Sequence, residues 1–148
     1  MLTGAVQVPE PPIWPEPLPT LRVRHVPGKG RGVFALVSFR PGETIEFAPV
    51  LLAPASCRAA FMGTALKDYT FRWDEDTGEI AFCLGLGSIY NHSFAPNARY
   101  IRHFEGSAIR SLALRAIVPG DEITVNYNGA PNDGSQCGSN PSPDAVLL

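Results

Sequence analysis

The chain has 148 residues, 45% of them hydrophobic, with 12 basic against 14 acidic side chains for a formal charge of −2. That is the size and balance of one globular domain. It excludes a membrane-spanning helix, since no apolar run approaches roughly 18 residues, and the first residues carry neither the basic cluster nor the apolar stretch of an export signal.

Six prolines fall within the first 20 residues. Missing amide donors and restricted φ disfavour helix and central strand there, so residues 1–20 are expected to form an extended or disordered arm. The core is expected over 21–128, where all 12 bases face 10 acids for a charge of +2. So small an excess does not predict nucleic-acid binding. Within the core the apolar period is mostly two: Leu21 and Val23 against Arg22 and Arg24, then Ile80, Phe82 and Leu84, then Ile123, Val125 and Tyr127. Turn chemistry separates these strands at Pro27-Gly28, Arg40-Pro41-Gly42-Glu43, the Asp74 to Gly78 cluster, Glu105-Gly106-Ser107 and Pro119-Gly120-Asp121. Only 55–66, with clustered Ala, Met and Leu, reads as helical. Residues 129–148, rich in Gly, Pro, Ser, Asn and Asp, are expected to be a flexible tail.

Three segments concentrate chemistry. Pro27-Gly28-Lys29-Gly30-Arg31-Gly32-Val33-Phe34 is a glycine-dense loop feeding a strand; it suits either a plain hairpin connection or a backbone cradle for a nucleotide-like group. The run from Leu84 to Ala98 interleaves Asn91, His92, Ser93 and Asn97 with apolar residues, as in an Asx-type turn. Asn91, His92 and Asn97 are nevertheless costly to bury for a mere loop. Gly120-Asp121-Glu122-Ile123-Thr124-Val125-Asn126-Tyr127 is a turn entering a strand that ends in Tyr127, whose hydroxyl needs a partner in the protein or in a substrate.

Other chemistries are disfavoured. His25, His92 and His103 lack metal-ligand spacing, and no metal is expected. Cys57, Cys83 and Cys137 form no C-x-x-C pair, which argues against a disulfide framework and for a reducing compartment. No G-x-S-x-G elbow occurs.

In order, and at separations of roughly 60 and 36 residues, G-x-G-x-F, N-H-S-x-x-P-N and G-x-E-I-T-x-x-Y resemble the signature of the SET-domain protein lysine methyltransferases. The resemblance covers about residues 20–128. Gly63-Thr64-Ala65-Leu66-Lys67-Asp68-Tyr69-Thr70-Phe71 and the run 91–99 are similar to the small stand-alone viral members.

The resemblance implies a mostly β, β-clip fold of several small sheets with one short helix and a knot-like C-terminal crossing. It implies S-adenosylmethionine held by Lys29, Gly30, Arg31, Gly32, Asn91 and His92, with S-adenosylhomocysteine as product. It implies a lysine channel lined by Tyr69, Tyr100 and Tyr127, with Tyr127 as the central catalytic residue. The partner would be a protein or peptide with an exposed lysine, a histone tail being one candidate, with no direct nucleic-acid or membrane partner. The location would be cytoplasmic, or nuclear if the substrate is a histone. Many relatives close the channel with a cysteine-rich zinc segment; here only Cys137 follows Tyr127, so closure by a second subunit of a homodimer is the implied substitute. A SET-like module that binds cofactor or peptide without turnover is the alternative.

Overall fold

The computed structural model describes residues 19–134. The proline-rich arm up to residue 18 and the tail from residue 135, Cys137 included, lie outside the described residues. Nine strands are present among those described: β1 (Leu21–Val26), β2 (Gly30–Ala35), β3 (Thr44–Ala53), β4 (Thr70–Arg72), β5 (Ile80–Cys83), β6 (Asn91–His92), β7 (Ala98–His103), β8 (Ala108–Ala113) and β9 (Glu122–Val125). They form two sheets, ordered β1-β2-β9-β6 and β4-β5-β3-β8-β7. The mostly β architecture expected from the alternation is what folds.

Local chemistry sets the element ends. The β1–β2 hairpin turns over Pro27, Gly28 and Lys29, with the Lys29 amide on the Val26 carbonyl at 3.1 Å and Gly28 and Gly30 at φ +78° and +83°, a region costly for residues with a Cβ. The expected helix over 55–66 is broken. A 3₁₀ turn (Ala55–Cys57) leads into α1 (Arg58–Met62), and a second 3₁₀ turn (Ala65–Tyr69) follows. The break lies at Thr64, which is extended (ψ 168°) and whose side chain accepts from the Leu66 amide at 3.2 Å, so it caps a new turn instead of continuing the old one.

The last strand also departs from expectation. It ends at Val125, and Tyr127 sits in a turn. Asn126 is the reason: its Oδ1 accepts from the Asn128 amide at 3.0 Å while its Nδ2 donates to the Asp133 carbonyl at 2.7 Å. This side-chain competition for the backbone bends the chain and ties residues up to 133 onto the body. The expected strand ending at Leu84 likewise stops at Cys83, and Leu84 is 63% exposed.

The feature that builds the site is the place of β9. It pairs antiparallel with β2 (Val33 opposite Ile123, Phe34 opposite Glu122) and parallel with β6 (Asn91 opposite Thr124, His92 opposite Val125). A strand from the C-terminal part of the core therefore enters between two much earlier ones, which is the form the C-terminal crossing takes. Buried Asn97 locks it there: Nδ2 donates to the Glu122 carbonyl and Oδ1 accepts from the Thr124 amide, both at 2.8 Å. Val33, Phe71, Tyr90, Ile109, Ile117, Ile123 and Val125 are essentially fully buried beneath, and each of the larger side chains contributes on the order of 1.5–3 kcal/mol relative to exposure.

Candidate active site

The β1–β2 turn, β6 and the turn after β9 converge because β9 joins β2 to β6. Between them and the 3₁₀ turn ending at Tyr69 lies a cleft of about 180 Å³, lined by Lys29, Arg31, Asp68, Tyr69, Ser88, Ile89, Asn91 and Tyr127. Five sequence-nominated residues, Lys29, Arg31, Tyr69, Asn91 and Tyr127, thus share one wall system.

Tyr127 is held at both ends. Its amide donates to His92 Nδ1 at 3.1 Å and its hydroxyl donates to the Tyr90 carbonyl at 2.8 Å. With the phenolic proton on that carbonyl, the hydroxyl oxygen is oriented with its lone pairs as its accepting side. An accepting Nδ1 also means that neutral His92 carries its proton on Nε2. Burial, and then the nearby Lys29 cation, lower the His92 pKa from its ordinary value.

Across the cleft, Arg31 Nη2 donates to the Tyr69 hydroxyl at 2.8 Å, joining the glycine loop to the turn that carries Tyr69. Asn91 Nδ2 donates twice, to the Arg31 carbonyl at 3.0 Å and to Glu122 Oε1 at 2.6 Å. Gly32 lies against this pair: a Cβ there would stand 2.6 Å from Glu122 Oε1, 2.7 Å from Val26 Cγ2 and 2.9 Å from Asn91 Nδ2. Any side chain at 32 would therefore displace the Glu122–Asn91 pair, whereas a Cβ at Gly30 would meet nothing within 4 Å.

Tyr100 stands apart from the cleft lining. Its hydroxyl donates to the Gly87 carbonyl, its ring stacks on Tyr90 with centroids 5.9 Å apart, and Phe71 meets its edge at 5.1 Å. Burial, followed by the neighbouring Tyr90, raises its pKa well above the ordinary phenol value. Tyr90 is shifted up in the same way, by burial and then by the Glu46 carboxylate, so both phenols stay protonated donors. Burial also pushes the Cys83 thiol up, away from the reactive thiolate. Among the described residues Cys57 and Cys83 are free thiols, and no group of three or more His, Cys, Asp or Glu could hold a metal ion.

Sequence reasoning overlooked three supporting residues. Glu46, on β3, accepts from the Leu86 amide at 2.7 Å and the Tyr90 hydroxyl at 3.2 Å, anchoring the residue whose carbonyl positions Tyr127. The only local signal was a carboxylate set among Ile45, Phe47 and Ala48. Glu122 stood inside a signature motif without a role, and Tyr90 stood next to one.

The comparisons with known proteins identify the family. Residues 30–128 match the SET domain model. The chain is 34% identical over 108 residues to a Schizosaccharomyces pombe histone-lysine N-methyltransferase specific for H3 lysine 37, covering 72% of each protein. It is 36% identical over 66 residues to the Halocynthia roretzi histone-lysine N-methyltransferase SETD7, covering 43% of this chain and 17% of that one. A Plasmodium falciparum crystal structure, described as that of a candidate histone methyltransferase, superposes with a TM-score of 0.61 at 26% identity, covering 75% of this chain and 95% of the other. The ATXR5 SET domain shares the fold at a TM-score of 0.62 and 16% identity, over 76% of this chain and 59% of that one. The chain belongs to the SET-domain family and is a protein lysine N-methyltransferase, of a kind that in general takes its methyl group from S-adenosylmethionine.

Proposed function

We propose that residues 21–128 form the catalytic unit, that its cleft binds S-adenosylmethionine, and that it methylates a lysine of a histone tail. The observation that carries this reading is the meeting of the glycine loop, Asn91 and Tyr127 on one cleft. The lining suits the cofactor's charges. Lys29 and Arg31 offer cations to a carboxylate, Asp68 an anion to an ammonium, and Tyr69 and Tyr127 aromatic faces to a sulfonium.

The bound cofactor supplies an electrophilic methyl group, and the chain's residues prepare the nucleophile. A lysine ammonium has a pKa near 10.4, so roughly one amine in 10³ is neutral at pH 7. Packing it among aromatic rings beside a cation favours proton loss before attack. Tyr127, its own proton on the Tyr90 carbonyl, accepts an N–H from the amine and so turns the nitrogen lone pair toward the methyl. Tyr69, its hydroxyl oxygen held by Arg31, has an O–H left to donate. Most of the acceleration comes from fixing two reactants in line, with Tyr100 as backing for the channel wall.

The substrate reading rests on the histone-directed relatives and on the acidic turn at Asp74, Glu75, Asp76 and Glu79, which attracts a basic peptide. Nuclear location follows from such a substrate. Exposed Leu66 and Phe94, at 47% and 53% beside the Tyr69 turn and His92, fit closure of the cleft by a second subunit of a homodimer; among the described residues no helix is long and apolar enough to cross a membrane.

Incubation with methyl-labelled S-adenosylmethionine and separate panels of histones and cell lysate, followed by mass spectrometry, tests the proposal. The expected result is a labelled histone lysine. S-adenosylhomocysteine binding without transfer would establish a binding module instead, and absence of binding would refute the cofactor reading.

A further inference from the structure

We infer that Glu122 is a positioning residue for cofactor recognition, its carboxylate setting the Asn91 amide and the Lys29 ammonium against each other. The inference rests on the cofactor reading above.

Each carboxylate oxygen has its own partner. Oε1 accepts from Asn91 Nδ2 at 2.6 Å, and Oε2 lies 3.9 Å from Lys29 Nζ. The Asn91 amide group meets two acceptors, Glu122 Oε1 and the Arg31 carbonyl, and an inverted amide would set oxygen against oxygen at both. The –NH₂ is therefore fixed toward the protein, and Oδ1 is left as the side-chain acceptor that Asn91 brings to the cleft.

The Glu122 backbone is pinned from both sides. Its backbone carbonyl accepts from Asn97 Nδ2 at 2.8 Å, its strand position pairs with Phe34, and its carboxylate occupies the space that glycine at position 32 leaves, where a Cβ would stand 2.6 Å from Oε1. Its side chain is only 20% exposed against 47% for Lys29, so a largely buried anion faces a more exposed cation. The ion pair restrains Lys29 at the cleft mouth. The hydrogen bond to Asn91 is charge-assisted and shielded from water, which makes it the stronger of the two contacts.

The test is calorimetric titration of the full chain with S-adenosylhomocysteine. If wild type does not bind, the cofactor reading fails; once wild type binds, the variants decide on Glu122. Glu122→Leu, which removes both contacts, is expected to weaken binding by about 10- to 100-fold. Glu122→Gln keeps an oxygen for Asn91 and drops the charge facing Lys29, and is expected to lose a few-fold at low salt, with the difference shrinking at high salt.

A second readout needs no ligand. The Asn91 side-chain ¹⁵N–¹H pair should move in both variants, and further in Glu122→Leu, which removes the acceptor, than in Glu122→Gln, which removes only its charge. Wild-type affinity in Glu122→Leu, or an unmoved Asn91 amide, overturns the inference. Should Glu122→Leu fail to fold, affinity equal to wild type in Glu122→Gln at low salt overturns it as well.

Discussion

Replacing Tyr127 by Phe separates what its hydroxyl does for the fold from what it does for the reaction. In the structure that hydroxyl makes a 2.8 Å bond to the Tyr90 carbonyl, while the Tyr127 backbone amide independently holds His92. Phe keeps the ring, the backbone bond and the cleft wall. It strands one carbonyl, which costs about 1–2 kcal/mol, a loss that a domain stable by about 5–15 kcal/mol survives as a folded protein. The chemical loss is expected to be larger, because one preorganised polar group at a reacting centre is worth about 10²–10³ in kcat, or about 2.7–4 kcal/mol. The expected pattern is a Tm lowered by several degrees, S-adenosylhomocysteine affinity within about twofold of wild type, and labelled methyl transfer down at least a hundredfold at saturating cofactor. Transfer within about twofold of wild type would refute the mechanism, and a large loss of cofactor affinity would move Tyr127 from the chemistry to the binding site.

Asn97→Ala removes both bonds that pin β9 at Glu122 and Thr124 from a position only 6% exposed. A loss of about 2–4 kcal/mol is expected in urea unfolding, and a change under about 0.5 kcal/mol would show that β9 is held by its sheet neighbours alone. His92 titrates against the fold: its pKa in the native protein lies below the ordinary 6.5 because of burial and then Lys29. The unfolded chain therefore binds the proton more readily. The contribution is fully present above pH about 6.5 and is lost as pH falls through the lower native value, at which point Nδ1 can no longer accept from Tyr127. Urea midpoints measured downward from pH 7.5 should drop more in wild type than in His92→Asn; parallel profiles would contradict the assignment.

The sequence announced the half-buried strands and withheld the site's supports, and the reason differs residue by residue. Alternation at Ile123 and Val125 was legible because one face of β9 is buried. The same alternation misplaced Tyr127, because the Asn126 side chain captures backbone groups of Asn128 and Asp133 beyond it, and periodicity carries no trace of such bonds. Helix propensity over 55–66 was real but yielded to the Thr64 cap. Lys29, Arg31, Asn91 and Tyr127 could be nominated because three short motifs resembled a family in order. Tyr69 came from a longer likeness, and Tyr100, nominated with it, stands in the stack behind the cleft. Glu46 could not be nominated: its partners Leu86 and Tyr90 lie 40 and 44 residues away, a pairing that only the register of β3 with its neighbours creates.

The insertion of β9 between β2 and β6 has a consequence for the order of assembly. A chain emerging from the ribosome can close the β1–β2 hairpin early, since Val26 and Gly30 are neighbours in sequence. The slot beside β2 must wait for residues 122–125. Such long-range closure is slow relative to local pairing. The cleft that Lys29, Asn91 and Tyr127 share therefore comes into being in a late event, and a nascent chain lacks it until that final strand has docked.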